Sequence, residues 1–350
     1  MNPAYIGNID GFVARLTSSG AFIRSTYIGT TNVDQVYGVQ FDKFGFPYIM
    51  GQSRGNWKPF NAAWSQSGAQ FIAKLKIDLT GFVYSTTFGT NPSTPNISPV
   101  AMLVDRCENV YVSGWGGTVA SSFRLEGTRG LSITPDAIQS TTDGEDFYFF
   151  VLKRDATQQL FGSFFGQNGG LADHVDGGTS RFDASGVIYQ AICANCKQAG
   201  DVPRKYPTTP GAWSEINPAA GSAACNLAMV KIEMDFAGVR AAPQSLIDGV
   251  PRDTLGCVPL TVDFTDTVQN AVSYVWDFGD GSPRVTAKYP DVNVQHIFNT
   301  VGVYRVMQIA IDSSTCNIRD TAYLNIKVGD NRADPQFNAV KVSGCNETVF

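Results

Sequence analysis

Seven cysteines and two histidines are the residues of this 350-residue chain whose types and spacing offer most chemistry. Cys193-Ala194-Asn195-Cys196 has the spacing of half a zinc site or of a redox-active pair. No second C-x-x-C accompanies it, so disulfide stapling of a long loop is the favoured reading, with metal ligation and free thiols as alternatives. Cys107 and Cys225 are the remaining partners, in an order left open. His174, inside Asp173-His174-Val175-Asp176, has the neutral-range titration of a general base and a carboxylate to orient it. No nucleophile or second ligand motif stands near, and a His on the turn face of a Gly/Asp loop is expected. Asp277 and Asp280 are weak calcium candidates, because Ca²⁺ takes six to eight oxygen ligands and turn chemistry explains Asp280 without an ion. Glycoside hydrolysis needs two carboxylates at one pocket, and no pair is singled out by spacing. The expectation is a chain without catalytic residues and without a cofactor, apart from the weak calcium candidates.

Composition narrows the classes. The chain is 43% hydrophobic and 16% charged, with 35 Gly, 17 Pro and a formal net charge of −5, so packed cores are expected and disorder is excluded for most of it. No Lys/Arg cluster offers a footprint for nucleic acid or an anionic membrane surface. No apolar run reaches a transmembrane length, and residues 1–8 lack the basic and apolar regions of a signal peptide. The odd cysteine count, and an echo of Gly256-Cys257-Val258 in Gly344-Cys345-Asn346, favour a segment of something longer in which Cys345 pairs beyond the end.

The elements that must position these residues are strands. Phe12-Val13-Ala14-Arg15, Phe71-Ile72-Ala73-Lys74, Phe150-Val151-Leu152-Lys153 and Ala228-Met229-Val230-Lys231 share one apolar pattern closing on a base, at spacings of 59, 79 and 78. The first three are followed by a short strand closing on Gly29, Gly89 or Gly166. Hairpin signals come next at Asp42-Lys43-Phe44-Gly45, Asp105-Arg106-Cys107-Glu108-Asn109 and Asp183-Ala184-Ser185-Gly186, where Asp opens the turn and Gly or Asn supplies the positive φ. A fourth element recurs as Asn61-Ala62-Ala63-Trp64, Pro135-Asp136-Ala137-Ile138 and Pro210-Gly211-Ala212-Trp213. Short strands with Gly-rich turns and no helical periodicity predict an all-β chain with one four-stranded propeller blade per repeat, the surplus length lying in insertions at 116–139 and 194–210. Three blades and part of a fourth would leave the ring incomplete in this segment.

These residues resemble the SBBP-type β-propeller repeat. Its elements correspond to Asp10-Gly11-Phe12-Val13-Ala14-Arg15-Leu16, Ser25-Thr26-Tyr27-Ile28-Gly29, Asp183-Ala184-Ser185-Gly186-Val187-Ile188-Tyr189 and Pro207-Thr208-Thr209-Pro210-Gly211-Ala212. The second glycine of its T-Y-x-G-G element is replaced here by Thr30, Thr90 or Gln167.

After residue 244 the periodicity changes. Tyr274, Trp276 and Phe278 alternate on one strand face, Asp280-Gly281 marks a tight turn, and Tyr323-Leu324-Asn325-Ile326-Lys327-Val328 alternates again, predicting an immunoglobulin-like sandwich. The Trp276-Asp277-Phe278-Gly279-Asp280-Gly281 run followed by His296-x-Phe298 and Gly302-x-Tyr304 closely resembles the polycystic kidney disease-type (PKD) domain. That resemblance implies Trp276 and Tyr304 as core residues, His296 in a packing or hydrogen-bonding role, and no catalytic site. Cys257 opens the first strand and Cys316 precedes the last, and the two are expected to be disulfide-bonded. The expected division is 1–244 propeller repeats, 245–329 PKD-type sandwich, and 330–350 the start of a further PKD-like module.

Propeller followed by PKD-like modules resembles cell-surface and secreted Bacteroidetes proteins associated with gliding motility and type IX secretion. The resemblance implies a secreted or cell-surface, non-catalytic binding or adhesion protein, with the propeller as interaction platform, the sandwich as spacer, and an extracellular protein or glycan as partner. The alternative is a secreted polysaccharide-degrading enzyme or its substrate-binding part.

Overall fold

The computed structural model describes residues 4–117, 125–167, 169, 173–175, 180–194, 206–215, 225–330, 340–341 and 348–349. The chain is all-β and divides into two compact units, 1–237 and 238–350. The expected division at 244/245 falls seven residues later than this one, because Val239 and Ala241 already belong to the core of the second unit.

The first unit is a succession of antiparallel meanders. Strands β1 (Gly11–Leu16) and β2 (Phe22–Ile28) form a pair. β3 (Asp34–Phe41), β4 (Pro47–Ser53), β5 (Gln70–Leu75) and β6 (Phe82–Phe88) form a four-stranded sheet in chain order. β7 (Ser98–Val104), β8 (Val110–Trp115), β9 (Phe147–Leu152) and β10 (Gln159–Phe165) form a second. β11 (Ser180–Phe182), β12 (Val187–Ala194) and β13 (Asn226–Glu233) form a three-stranded sheet. Each full sheet therefore begins with the hairpin and ends at the repeat glycine, half a repeat out of phase with a count that starts at the Phe-x-x-base strands. Among the described residues no strand pairs the first of these sheets with the last.

One local turn builds all three hairpins. Asp42, Asp105 and Asp183 each accept, through Oδ1, the amides two and four residues on, at 2.7–3.2 Å. Position four has positive φ in every case: Gly45, Glu108 and Gly186, at 83°, 66° and 84°. In the second hairpin Glu108, not the expected Asn109, takes the left-handed conformation.

Register corrects the repeat alignment as well. Tyr48, Tyr111 and Tyr189, one in each hairpin, lie opposite Lys74, Val151 and Lys231. Val151 thus occupies the place of the base, and Lys153 falls beyond the end of β9.

Strands β4, β5, β8 and β9 are buried along their whole length because a sheet lies against each face. The core between the two full sheets holds Tyr48, Met50, Ile72, Phe88, Val112 and Phe150, with the Phe88 and Phe150 rings stacked 4.7 Å apart. Lys74 is buried at the rim of that core, with Nζ 2.9 Å from Asp42 and 3.0 Å from Glu108, a turn residue of the next sheet. It also lies over the Phe46 and Tyr48 rings.

The second unit is a sandwich. β14 (Pro243–Ile247), β15 (Val250–Pro251), β17 (Leu260–Asp266) and β20 (Val294–Phe298) form one sheet; β16 (Leu255–Cys257), β18 (Ser273–Asp277), β19 (Val285–Lys288), β21 (Gly302–Ile311) and β22 (Arg319–Gly329) form the other. Burial alternates strictly along β17 and β18, the period of a sheet with one face on a core. Trp276 is fully buried against Phe264, and Tyr304 is partly buried on the edge of that core.

The expected Cys257–Cys316 disulfide is not formed. Cys257 is a free, exposed thiol, whereas Cys316 is disulfide-bonded. Cys257 lies opposite Gly329, at the far end of β22 from the turn that carries Cys316. Some ten residues of extended chain at about 3.3 Å each separate those ends, against the roughly 7 Å that a disulfide spans. Of the expected further module at 330–350, only the short pairing of residues 340–341 with 348–349 is described. Cys345 lies outside the described residues.

Candidate functional site

Each repeat glycine sits in a cradle of two side-chain oxygens. A Cβ built on Gly29 would lie 2.5 Å from Asp10 Oδ1 and 3.1 Å from Asp34 Oδ2. On Gly89 it would lie 2.7 Å from Asn96 Oδ1 and 3.1 Å from Gln70 Oε1. On Gly166 it would collide with Asp146 Oδ1 and lie 2.9 Å from Asp173 Oδ2. The amide after each glycine completes the pattern: Thr30 N donates to Asp34 at 2.6 Å, Thr90 N to Asn96 at 2.8 Å, and Gln167 N to Asp173 at 2.9 Å. One member of each pair enters its strand, and the other lies five or seven residues beyond the glycine. The pair is two carboxylates in the first and third cases and two carboxamides in the second.

Asp34, Asp146 and Asp173 are all at most 1% exposed. Burial, with the Asp143 carboxylate adding to it, pushes the Asp146 carboxyl up to about 6, against the opposing effect of its hydrogen bonds. None of these pairs was singled out in the sequence. The available signal was an Asp or Asn five or seven residues after each repeat glycine, which is weak without the fold.

His174 does not occupy a turn face. It is 9% exposed, its backbone bridges Cys193, and its ring lies 5.8 Å from that of Trp115. Extended chain sends neighbouring side chains to opposite sides. Asp173 accordingly reaches Gln167 while His174 reaches Trp115, so His174 is a packed residue. Cys107 and Cys225 are each disulfide-bonded, and Cys193 is the penultimate residue of β12, opposite Leu227. Cys196 and Asp176 lie outside the described residues.

Asp277 and Asp280 are engaged by the sandwich's own turn rather than by a shared cavity. Asp277 accepts Gly279 N and pairs with Arg284 at 3.0 Å; Asp280 accepts Ser282 and pairs with His296 at 2.7 Å. Burial would raise the Asp280 carboxyl, but its hydrogen bonds from Ser282 and His296 prevail and hold it down at about 2. Among the described residues no group of three or more His, Cys, Asp or Glu is arranged to hold a metal.

A groove of about 620 Å³ opens between β1 and β3. The two strands start together, at the parallel bridge of Ile9 with Val33 and the close approach of Gly11 to Val36. The groove beyond is lined by Phe12, Leu16, Tyr37, Val39 and Phe41 among others. Phe12 and Phe41 are 67% and 60% exposed, high for large apolar residues that line one groove. Among the described residues β1 pairs only with β2 and β3 only with β4, so each strand keeps one edge without a strand partner.

The PKD domain family model matches residues 240–328, the extent of the sandwich. No curated protein matches the chain. Solved structures that match include two of the extracellular domain of BT4673 from B. thetaiotaomicron, described as part of a hybrid two component system and of a one component system. They are 8% and 10% identical, with TM-scores of 0.24, covering 84% and 85% of this chain and 56% of each of those. The extracellular domain of the BT3049 hybrid two component system of the same organism matches at 11% identity and a TM-score of 0.18, over 84% of this chain and 38% of that one. This chain thus spans about half the length of the first two. At such scores the likeness bears on neither fold nor function.

Proposed function

We propose that the chain is a non-catalytic binding protein of the cell surface or the secreted fraction. In this reading the sheets of 1–237 are successive propeller blades that form an interaction platform, and the PKD domain is its spacer. The PKD match supports an extracellular setting, since this module is an extracellular spacer in the family that its motif resembles. The resemblance of the first unit to SBBP repeats supports the gliding-associated class named above.

The groove between β1 and β3 is the observation that carries the binding role. Exposed Phe and Val side chains beside unpartnered strand edges suit an extended polypeptide of an extracellular protein, which would combine backbone pairing with apolar pockets. The enzymatic alternative would rest on Asp146 and Asp173. Both are buried away from any polymer, and the same cradle recurs at Gly29 and, as carboxamides, at Gly89. A feature repeated in three places is architecture rather than one active site.

The test is selection of peptides on the immobilised full chain, followed by titration against Phe12→Ser and Phe41→Ser. Both residues are exposed, so folding should survive. Loss of about thirtyfold or more in affinity in both variants, the scale of one interface hot spot, is expected. Peptides indifferent to both substitutions would overturn the groove. Depolymerisation of a polysaccharide, abolished by Asp146→Asn, would overturn the non-catalytic reading.

A further inference from the structure

The three glycine cradles differ in how their oxygens are satisfied, and the middle one serves as an internal reference. There the carboxamides bring their own donors: Gln70 Nε2 reaches Ile97 O at 3.1 Å, and Asn96 Nδ2 reaches Thr90 Oγ1 and Gly127 O, both at 2.8 Å. At Gly29 the carboxylates have none to bring. Asp34, 1% exposed, spends Oδ2 on Thr30 N and Thr30 Oγ1, while its Oδ1 is buried with no hydrogen-bond partner. Asp10 spends Oδ2 on Ile6 N, and its Oδ1 is likewise buried without a partner.

No Lys, Arg or His stands within ion-pair distance of either carboxylate among the described residues. A carboxylate oxygen buried without a donor or a cation is costly. Further oxygens lie around the same Asp10 Oδ1: a Cβ on the neighbouring Gly7 would lie 2.7 Å from it, 2.5 Å from Asn32 O and 2.7 Å from Thr30 O. Two carboxylates and two carbonyls, with no nitrogen or sulfur among them, are the donors of a hard divalent cation.

We propose that the Asp10–Asp34 cradle beside Gly29 is a calcium site, tying the segment before β1 to the loop before β3. The two carboxylates neutralise the ion, the Thr30 and Asn32 carbonyls add ligands, and water completes its shell. Gln70–Asn96 is the same cradle made independent of metal by amide donors.

The decisive experiment is calorimetric titration of the chelator-treated full chain with CaCl₂, compared with an Asp10→Gln/Asp34→Asn variant that copies the middle cradle. The wild type is expected to bind and to melt higher in about 5 mM Ca²⁺, above the weak end of extracellular calcium modules, than in chelator. The double variant is expected to bind one ion fewer per chain. A single Asp34→Asn variant repeats the test should the double variant lose its near-ultraviolet circular dichroism. Equal stoichiometry in variant and wild type would overturn the proposal. So would a wild type whose melting ignores Ca²⁺ and instead rises as pH falls from about 7 to 5, which would make a shared proton the occupant.

Discussion

The Phe278 ring lies flat on the His296 imidazole, centroids 3.9 Å apart and planes 5° from parallel. His296 also meets Phe298 edge-on at 4.7 Å, and Phe298 stacks on Tyr304 at 4.6 Å. The two halves of the PKD motif, about twenty residues apart in sequence, are one continuous column of rings that Asp280 caps through His296 Nε2.

That cap makes the sandwich sensitive to acid. The Asp280 carboxyl is held at about 2, below its ordinary value, so its contribution is complete above about pH 4 and is lost as pH falls through about 2. The side chain is 18% exposed, so about 1 kcal/mol is expected after solvent screening. Denaturation of wild type and Asp280→Asn should show a gap near this size at pH 7 that closes by about pH 2.

Trp276 is fully buried. Trp276→Ala should cost about 3–5 kcal/mol, read from the denaturation of the second unit by the near-ultraviolet signal of its aromatic residues. A cost below about 1 kcal/mol would remove this residue from the core.

Lys74→Met leaves Asp42 and Glu108 facing each other in a buried place, with their shared cation gone. The expected loss is about 3–5 kcal/mol, seen as earlier unfolding of the first unit. Adding Glu108→Gln to Lys74→Met should recover part of that loss, because one of the stranded charges is removed.

Cys257 is exposed and free. Iodoacetamide should therefore modify it in the native, non-reduced protein while leaving Cys316 unmodified. Peptide mapping that finds Cys257 and Cys316 in one linked peptide would reverse the assignment.

What the sequence determined by itself is local. Asp followed by a left-handed residue three positions later closes a hairpin through its own amides, so the turns of Asp42–Gly45 and Asp183–Gly186 were legible in full, while at Asp105 the turn was legible but not Glu108 as its left-handed residue. Alternation over Tyr274, Trp276 and Phe278 likewise named a strand face and its core residue, because a period of two belongs to the strand itself.

Relations between distant segments were decided only by the tertiary structure. That Val151 rather than Lys153 stands opposite the hairpin tyrosine depends on strand register, which is set by pairing across the sheet. That Cys257 and Cys316 lie at opposite ends of β22 depends on which strand lies beside which. That Asp10 meets Asp34 beside Gly29 depends on a parallel bridge between Ile9 and Val33. Spacing along the chain records none of these, since long-range pairing is selected by the burial of whole faces and not by any local residue preference.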